Sequence, residues 1–280
     1  MKILVTGAEG FLGKGIVNRL IDLGNEVIAA CLNTPRDVDA RATVIESDIF
    51  NIDNPYEYYG KPDVVLHLAW KDGFIHYSEA HLEYLASHVN FLKKLCQSNI
   101  KQIAVMGSMH EIGFYEGSIN EHTPCNPESY YGIAKNALRE TTEIMCKQND
   151  KIFQWLRGYY IVANTSEGSS IFSKLVNASE KGEKVFPFTM GLNQFDFLDY
   201  DEFCNQVAYA VSQNTINGII NICSGRPEKL SDRVERFIKD NNLNIKLQYG
   251  EFPDRPYDSK AIWGDNKKIT QILQLDISNK

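Results

Sequence analysis

The sequence predicts an α/β fold in which helices cover both faces of a parallel sheet. Apolar runs of strand length alternate with helical stretches from Ile3–Thr6 to about residue 158. A glycine-rich segment, Thr6–Gly13, follows the first run directly and opens a helix. Strands that alternate with helices of this length need right-handed crossovers, which build a Rossmann-like, doubly wound parallel sheet.

The elements follow from apolar periodicity and its breaks. The predicted strands are Ile3–Thr6, Glu26–Cys31, Thr43–Glu46, Asp63–Leu68, Ile100–Met106 and Ile152–Leu156. The predicted helices are Phe11–Leu23, Ser78–Gln97, Ser129–Cys146, Ser170–Lys181, Glu202–Gln213 and Ser231–Asp240. Loops are predicted at Phe186–Phe188, Asn193–Asp201 and Phe252–Asp258. We expect a sheet domain over residues 1–158 and a smaller C-terminal lobe over 159–280, with some segments returning to the first domain.

Composition excludes several classes of function. The net charge of −7 argues against a nucleic-acid-binding surface, and no apolar run approaches the roughly 20 residues of a membrane span. The chain begins as a strand at Met1, which leaves no room for a signal peptide, so we expect a cytoplasmic protein. Six scattered cysteines without metal-ligand spacing indicate a reducing compartment and no metal site.

The glycine segment indicates a dinucleotide-binding loop. Gly7 permits a tight turn, Gly10 lets the backbone approach a pyrophosphate, and Gly13 allows close packing of helix on strand. The helix begins with Phe11 and Leu12, whose N–H groups then meet the phosphate charge. We therefore interpret residues 1–158 as an NAD(P)-binding domain.

The second strand bears on which dinucleotide binds. NAD sites usually place an acid at its end, where this chain has Cys31. Arg36 follows and either grips a 2′-phosphate or is a solvated loop residue. The sequence thus favours NADP(H), with NAD(H) as the alternative.

Tyr131 and Lys135 are candidate proton-transfer residues. Their spacing puts both on one face of a predicted helix, where an ammonium favours the phenolate and makes Tyr131 a usable acid or base. Ser108 lies at the end of a predicted strand, where such sheets carry ligands, and its hydroxyl suits a substrate carbonyl oxygen. An exposed helix contact and a cap serine are the structural alternatives.

At this point the sequence resembles the extended short-chain dehydrogenase/reductase family, the group of nucleotide-sugar epimerases, dehydratases and reductases. The resemblance covers nearly the whole chain and rests on segments that include Thr6–Gly13, Ser47–Ile49, His67–Ala69, Gly107–Ser108, Ser129–Lys135 and Arg157. It implies that Ser108, Tyr131 and Lys135 are the catalytic trio, and that Tyr131 and Lys135 also touch the cofactor. It further implies that Asp48 and Ile49 contact the adenine, and that Leu68 and Ala69 line the cofactor channel. A homodimer through the helices Ser78–Gln97 and Ser129–Cys146 is typical of such relatives.

Departures from the family pattern reduce the number of reactions that the resemblance allows. Met109 and His110 stand where dehydratases of this family carry Asp and Glu, which disfavours sugar dehydration. His110 either shapes the substrate site or sits in a packed loop. Phe195 replaces a diphosphate-binding arginine, which leaves Arg255 for that role or for a surface salt bridge.

Two aromatic residues complete the predicted substrate site. Trp70 follows the fourth strand and either covers the sugar or lies in an ordinary surface loop. Phe186 either stacks on a nucleotide base or belongs to a core.

Together these features predict an NAD(P)H-dependent reductase of a dTDP- or GDP-linked 4-keto-6-deoxysugar, which would make a deoxyhexose precursor for surface polysaccharide. A nucleotide-sugar C4 epimerase with tightly bound NAD is the first alternative. A non-catalytic dinucleotide-sensing protein on the same fold is the second.

Overall fold

The computed structural model describes residues 1–33, 37–168, 170–253 and 259–275. The strands are β1 (Lys2–Thr6), β2 (Glu26–Cys31), β3 (Thr43–Glu46), β4 (Val64–His67), β5 (Gln102–Ser108), β6 (Gly117–Ile119), β7 (Ile152–Gly158), β8 (Tyr160–Val162), β9 (Val185–Pro187), β10 (Gln194–Asp199), β11 (Gly218–Ile222), β12 (Pro227–Lys229), β13 (Lys246–Gln248) and β14 (Ala261–Gly264). The α-helices are α1 (Phe11–Asp22), α2 (Pro55–Tyr58), α3 (Ala80–Glu83), α4 (Leu85–Cys96), α5 (Tyr130–Gln148), α6 (Ile171–Glu180), α7 (Tyr200–Val211), α8 (Leu230–Asp240) and α9 (Lys267–Leu273).

A seven-stranded parallel sheet forms the main body, in the order β11-β7-β5-β4-β1-β2-β3. The strand order reverses between β1 and β4, which is where doubly wound sheets open a ligand crevice. This confirms the predicted fold class.

Helices cover both faces of this sheet because successive strand residues point to opposite sides. Ile3 and Val5 of β1 pack in a core that includes residues of α1, α7 and α9, whereas Leu4 packs in a core that includes residues of α4 and α5. In the described part of the chain no helix is long and apolar enough to cross a membrane.

A smaller lobe holds a second sheet, β12-β10-β14-β6, with β8 paired to β10, and the two-stranded pair β13-β9. Its core includes Phe172, Phe188 and Phe237. Strand β11 follows the lobe's first strands in the chain yet pairs with β7 in the main sheet. The boundary near residue 158 stays our proposal.

Two predicted loops are strands. Asn193–Asp201 contains β10 and the start of α7, and Phe186–Phe188 overlaps β9. The polar Asp196 made β10 look like a loop. In the structure its carboxylate is fully buried and accepts hydrogen bonds from the N–H groups of Ser224, Gly225 and Gly264. Buried acids are tolerated where such donors satisfy them, and these donors are distant in sequence.

Two other boundaries also differ from the prediction. The helix predicted over Ser78–Gln97 breaks at Tyr84, which ends α3 and precedes α4. Strand β5 runs on to Ser108, so the candidate serine is the last strand residue.

Candidate active site

The glycine loop lies against the chain that leaves β4. Gly7 has a φ of +66°, and a Cβ there would lie 2.8 Å from the Ala69 Cα atom. A Cβ on Gly13 would lie 2.4 Å from the Gly7 carbonyl oxygen. Side chains at either position would therefore push the loop away from Leu68 and Ala69 or separate α1 from β1.

The start of α1 fits a phosphate group. Gly10 occupies the N-cap position without a side chain, so the N–H groups of the first turn, at Phe11, Leu12 and Gly13, are suited to bind an anion. Tyr200 supports this turn, because its hydroxyl donates to the Phe11 carbonyl oxygen and accepts from the Gly15 N–H. These residues fit the pyrophosphate of a dinucleotide.

The structure describes Asp48 and Ile49, two of the three residues predicted to bind the adenosine end of the cofactor. Asp48 caps the short turn 49–51, where its carboxylate accepts from the Phe50 N–H and from the Asn51 side chain. Ile49 is buried in the core between the sheet and α4. Arg36 lies outside the described residues, so its role stays a prediction.

Ser108, Tyr131 and Lys135 come together at the carboxyl end of β5. Ser108 ends the strand, and its hydroxyl is close enough to the Tyr131 phenol to lower the pKa of that phenol. Tyr131 lies in the first turn of α5, and its N–H donates to the His76 carbonyl oxygen at 3.0 Å. Lys135 follows one turn later on the same face, with its amino group 5.8 Å from the centre of the Tyr131 ring. Two segments that are distant in sequence, β5 and α5, thus bring a hydroxyl, a phenol and an amine together.

The ionisation of the pair differs from the expectation. Burial raises the pKa of Tyr131 to about 12, against the lowering effect of the Ser108 hydrogen bond. Burial lowers the pKa of Lys135 to about 7, and the Glu111 carboxylate acts in the opposite direction. The Lys135 ammonium donates to the Met106 carbonyl oxygen at 2.8 Å and lies 3.7 Å from the Trp70 ring centre. The protein alone therefore holds Tyr131 as a neutral phenol and Lys135 as a readily titrated amine.

Trp70 is packed into the site by histidines. Its ring stacks on His88 at 4.4 Å, and its N–H donates to the Nδ1 atom of His81 at 3.0 Å. His88 hydrogen-bonds to His67 at 2.8 Å, which in turn bonds to the Thr6 hydroxyl. Burial lowers the pKa of His88 to about 3, and that of His67 falls well below its usual value for the same reason. These neutral rings fix the wall behind Lys135.

The mouth of the site carries His76 and His110, whose ring centres are 4.2 Å apart. The His76 ring lies nearly parallel to Tyr131, 5.4 Å away, and burial lowers the pKa of His110 to about 3. His110 is therefore a neutral imidazole, and its ring centre lies 6.1 Å from that of Tyr131. The adjacent Met109 is instead buried in a small apolar cluster.

Two predicted substrate residues remain, Phe186 and Arg255. Phe186 packs against the core of the smaller lobe, which favours the core reading over base stacking. Arg255 lies outside the described residues, and its diphosphate role stays a prediction. Among the residues that the structure describes, no cluster of potential ligands could hold a metal ion.

Glu111 is a site residue that the sequence reasoning missed. Its carboxylate is fully buried and accepts the Ser108 N–H at 2.6 Å, while Ser108 caps the same turn in return. It also accepts the Trp155 indole N–H and lies 3.5 Å from the buried Arg157 guanidinium. The Ser108-x-x-Glu111 spacing is that of a capping box, which was the available sequence signal.

Comparisons with known proteins give a family match and two relatives that align over most of the chain. Residues 3–223 match the NAD dependent epimerase/dehydratase family. A dTDP-6-deoxy-L-talose 4-dehydrogenase (NAD(+)) from Aggregatibacter actinomycetemcomitans is 37% identical and aligns with 94% of this chain and 99% of its own. A GDP-6-deoxy-D-talose 4-dehydrogenase from the same organism is 21% identical over 99% of this chain and 92% of its own.

Solved structures show the same fold. A UDP-N-acetylglucosamine 4-epimerase from Methanobrevibacter ruminantium superposes with a TM-score of 0.81 at 21% identity, covering 97% of this chain and 91% of that one. A UDP-glucuronic acid 4-epimerase from Bacillus cereus, in complex with UDP-glucuronic acid and NAD, gives 0.80 at 21% identity, covering 100% and 96%. The family match confirms the resemblance stated from the sequence and, with it, an NAD(P)-dependent oxidoreductase. The chain belongs to the NAD dependent epimerase/dehydratase family.

Proposed function

We propose that this protein is an NAD-dependent 4-dehydrogenase of a nucleoside-diphosphate 6-deoxyhexose, most readily a dTDP-linked one. The observation that carries the proposal is the convergence of Ser108, Tyr131 and Lys135 beside the glycine loop, in a chain that aligns end to end with a named 4-dehydrogenase. The reductase predicted from the sequence is the same reaction in the opposite direction, since both directions share one transition state.

The residues of the site have definite tasks in this proposal. When bound, the nicotinamide accepts or supplies the hydride at the sugar carbon. During reduction the neutral Tyr131 phenol donates its proton to the sugar oxygen. During oxidation Tyr131 takes the proton of the sugar hydroxyl as the phenolate, after its own proton has passed to solvent. Ser108 hydrogen-bonds the same sugar oxygen, and the Lys135 ammonium stabilises negative charge that develops on the phenol. The neutral His76 and His110 rings line the mouth and offer hydrogen bonds without adding charge.

For the cofactor we propose NAD(H). The 37% identical relative is named for NAD(+), and the sequence preference for NADP(H) depends on Arg36, which the structure does not describe. A homodimer through α4 and α5 also stays a proposal. Ile133 and Ile144 of α5 are exposed apolar side chains on its outer surface, and the mass in solution tests the pairing.

The test measures reduced nicotinamide formed from NAD(+) with dTDP-6-deoxy-L-talose and with GDP-6-deoxy-D-talose. We expect turnover, faster with the dTDP sugar. Tyr131→Phe should lower kcat by about 100- to 10,000-fold while NADH still binds. Tyr130→Phe is the matched control, because the adjacent phenol is exposed and should leave kcat unchanged. Normal turnover by Tyr131→Phe would refute the assignment of the site.

A C4 epimerase is the second candidate, because it needs the same trio. It would invert the sugar hydroxyl without net formation of reduced nicotinamide and would retain NAD through purification. Product analysis of the same reactions separates the two: a 4-keto sugar supports the dehydrogenase, and a 4-epimer with no net redox change supports the epimerase.

A further inference from the structure

Glu9 of the glycine loop lies at the carboxyl end of β2, where the sequence pattern offers no acid. Cys31, which occupies the expected position, is fully buried and cannot reach a ligand. The loop packs on this end of the strand, because the Gly7 N–H donates to the Ala30 carbonyl oxygen at 3.0 Å. An acid from the loop therefore takes the place that an acid from β2 usually has.

One oxygen of the Glu9 carboxylate accepts a hydrogen bond from the protein, and the other accepts none from the described residues. Its Oε1 atom accepts the N–H of Leu32, the first residue after β2, at 2.7 Å. Its Oε2 atom is buried and has no hydrogen-bond partner among the described residues. A buried carboxylate oxygen without a donor is costly, so this atom is ready to accept a donor from a ligand.

The thiol of Cys31 reports the same proximity. Burial raises the pKa of Cys31 to about 12, and the Glu9 carboxylate adds to this rise. The Glu9 carboxylate therefore makes the electrostatic potential at the end of β2 more negative.

One described basic side chain at this end, Lys14, is already neutralised by an ion pair. Its amino group lies 3.1 Å from the Asp37 carboxylate. A phosphate added here would therefore meet the Glu9 carboxylate and a lysine that is already paired.

We propose that Glu9 selects NAD(H) against NADP(H), with its Oε2 atom accepting the 2′-hydroxyl of the adenosine ribose. A 2′-phosphate brings no donor to this atom and adds a charge of nearly −2 beside it. The inference deepens the proposed function, because it names the residue that decides the cofactor of that site.

The test is equilibrium binding of NADH and NADPH to the full chain without sugar, followed by nicotinamide fluorescence. The parent should bind NADH more tightly than NADPH. Glu9→Gln keeps an acceptor for the Leu32 N–H but removes the charge, so NADH binding should weaken about ten- to a hundredfold. NADPH binding should weaken less than NADH binding or become tighter. The ratio of the NADPH to the NADH dissociation constant should therefore fall by about tenfold or more.

Two further variants sharpen the result. Glu26→Gln neutralises an exposed acid at the opposite end of β2, where it pairs with Lys2, and should leave the ratio unchanged. Arg36→Ala tests the competing reading, in which an arginine holds a 2′-phosphate.

The inference is overturned if the parent binds NADPH more tightly than NADH. It is also overturned if the ratio of the two dissociation constants in Glu9→Gln stays within about twofold of the parent's ratio. Tighter binding of NADPH that Arg36→Ala abolishes would support the competing assignment and overturn the inference. Because no sugar is present, these outcomes are separate from failure of the proposed reaction. A protein that shows the Glu9 effect but oxidises neither talose derivative would refute the function and leave the cofactor inference standing.

Discussion

Replacing Glu111 by Gln changes the charge of a buried group while keeping its shape. Glu111 and Arg157 are both fully buried, and the closest distance between their charged atoms is 3.5 Å. The Arg157 guanidinium has one other described partner, the Asn120 carbonyl oxygen at 3.2 Å, and its Nε and Nη2 atoms have no hydrogen bond among the described residues. Loss of the carboxylate therefore leaves a buried cation without a counter-charge.

The expected cost is about 3–5 kcal/mol of unfolding free energy, which is typical of breaking a buried ion pair. For a domain of this size each kcal/mol lowers Tm by roughly 2–4 °C, so Glu111→Gln should lower Tm by about 10 °C. Glu140→Gln is the matched control, because that side chain bonds Arg139 on the surface with 58% exposure, and its loss should cost under about 0.5 kcal/mol.

The double variant Glu111→Gln with Arg157→Met should recover much of the loss, since neither charge is then left alone. Urea unfolding of the parent, both single variants and the double variant closes the cycle. A Tm within about 3 °C of the parent for Glu111→Gln, or full additivity of the two changes, would contradict the reasoning.

The same substitution should alter catalysis through Lys135. The Glu111 charge raises the pKa of Lys135 against the effect of burial, so its removal lowers that pKa below about 7. Activity that needs the ammonium should then be lost at lower pH, so the alkaline limb of the kcat profile should shift toward lower pH. An unchanged limb would show that Glu111 acts on the fold alone.

Two other changes test the wall behind Lys135. Trp70→Leu removes the ring whose centre lies 3.7 Å from the Lys135 ammonium. Loss of a cation–π contact of about 1–2 kcal/mol predicts roughly a tenfold lower kcat, and Trp70→Phe should give an intermediate value. Equal kcat values in the parent and both variants would show that the ring does not stabilise the ammonium. His88 is buried with a pKa of about 3, below its unfolded value near 6.5, so only the unfolded chain binds its proton between these values. As pH drops below 6, His88 should therefore contribute a loss of about 1.4 kcal/mol of stability per pH unit, in addition to similar losses from His67 and His110, whose pKa values burial also lowers. Urea unfolding of His88→Asn should show a slope smaller than the parent's by about 1.4 kcal/mol per pH unit, and an unchanged slope would contradict this contribution.

Local patterns predicted the main sheet well, because its strands are buried apolar runs between turn residues. Six of the seven strands and the glycine loop could be located from neighbouring residues alone. The exception is β11, and the strands of the smaller lobe were also missed. Strand β10 is stabilised by partners that lie far away in sequence, and its buried Asp196 reads as a surface residue until those partners are known.

For the candidate site, too, the sequence predicted the local features and not those that depend on distant residues. The one-turn spacing of Tyr131 and Lys135 is a property of the helix, so the sequence predicted that they share a face. Their ionisation was not predictable, because it depends on burial and on Trp70, Glu111 and Met106, which reach the pair from other segments.

By itself, the sequence determined the doubly wound fold, and it pointed to the glycine loop and to Tyr131 and Lys135 as candidates for dinucleotide binding and proton transfer. Each of these rests on residues within about one helical turn or one strand of each other. Only the tertiary structure decided that Glu111 lies beneath Ser108 and that the Glu9 carboxylate lies at the end of β2 beside Cys31. The physical reason is that electrostatic interactions depend on distance in space and on burial, and folding sets both.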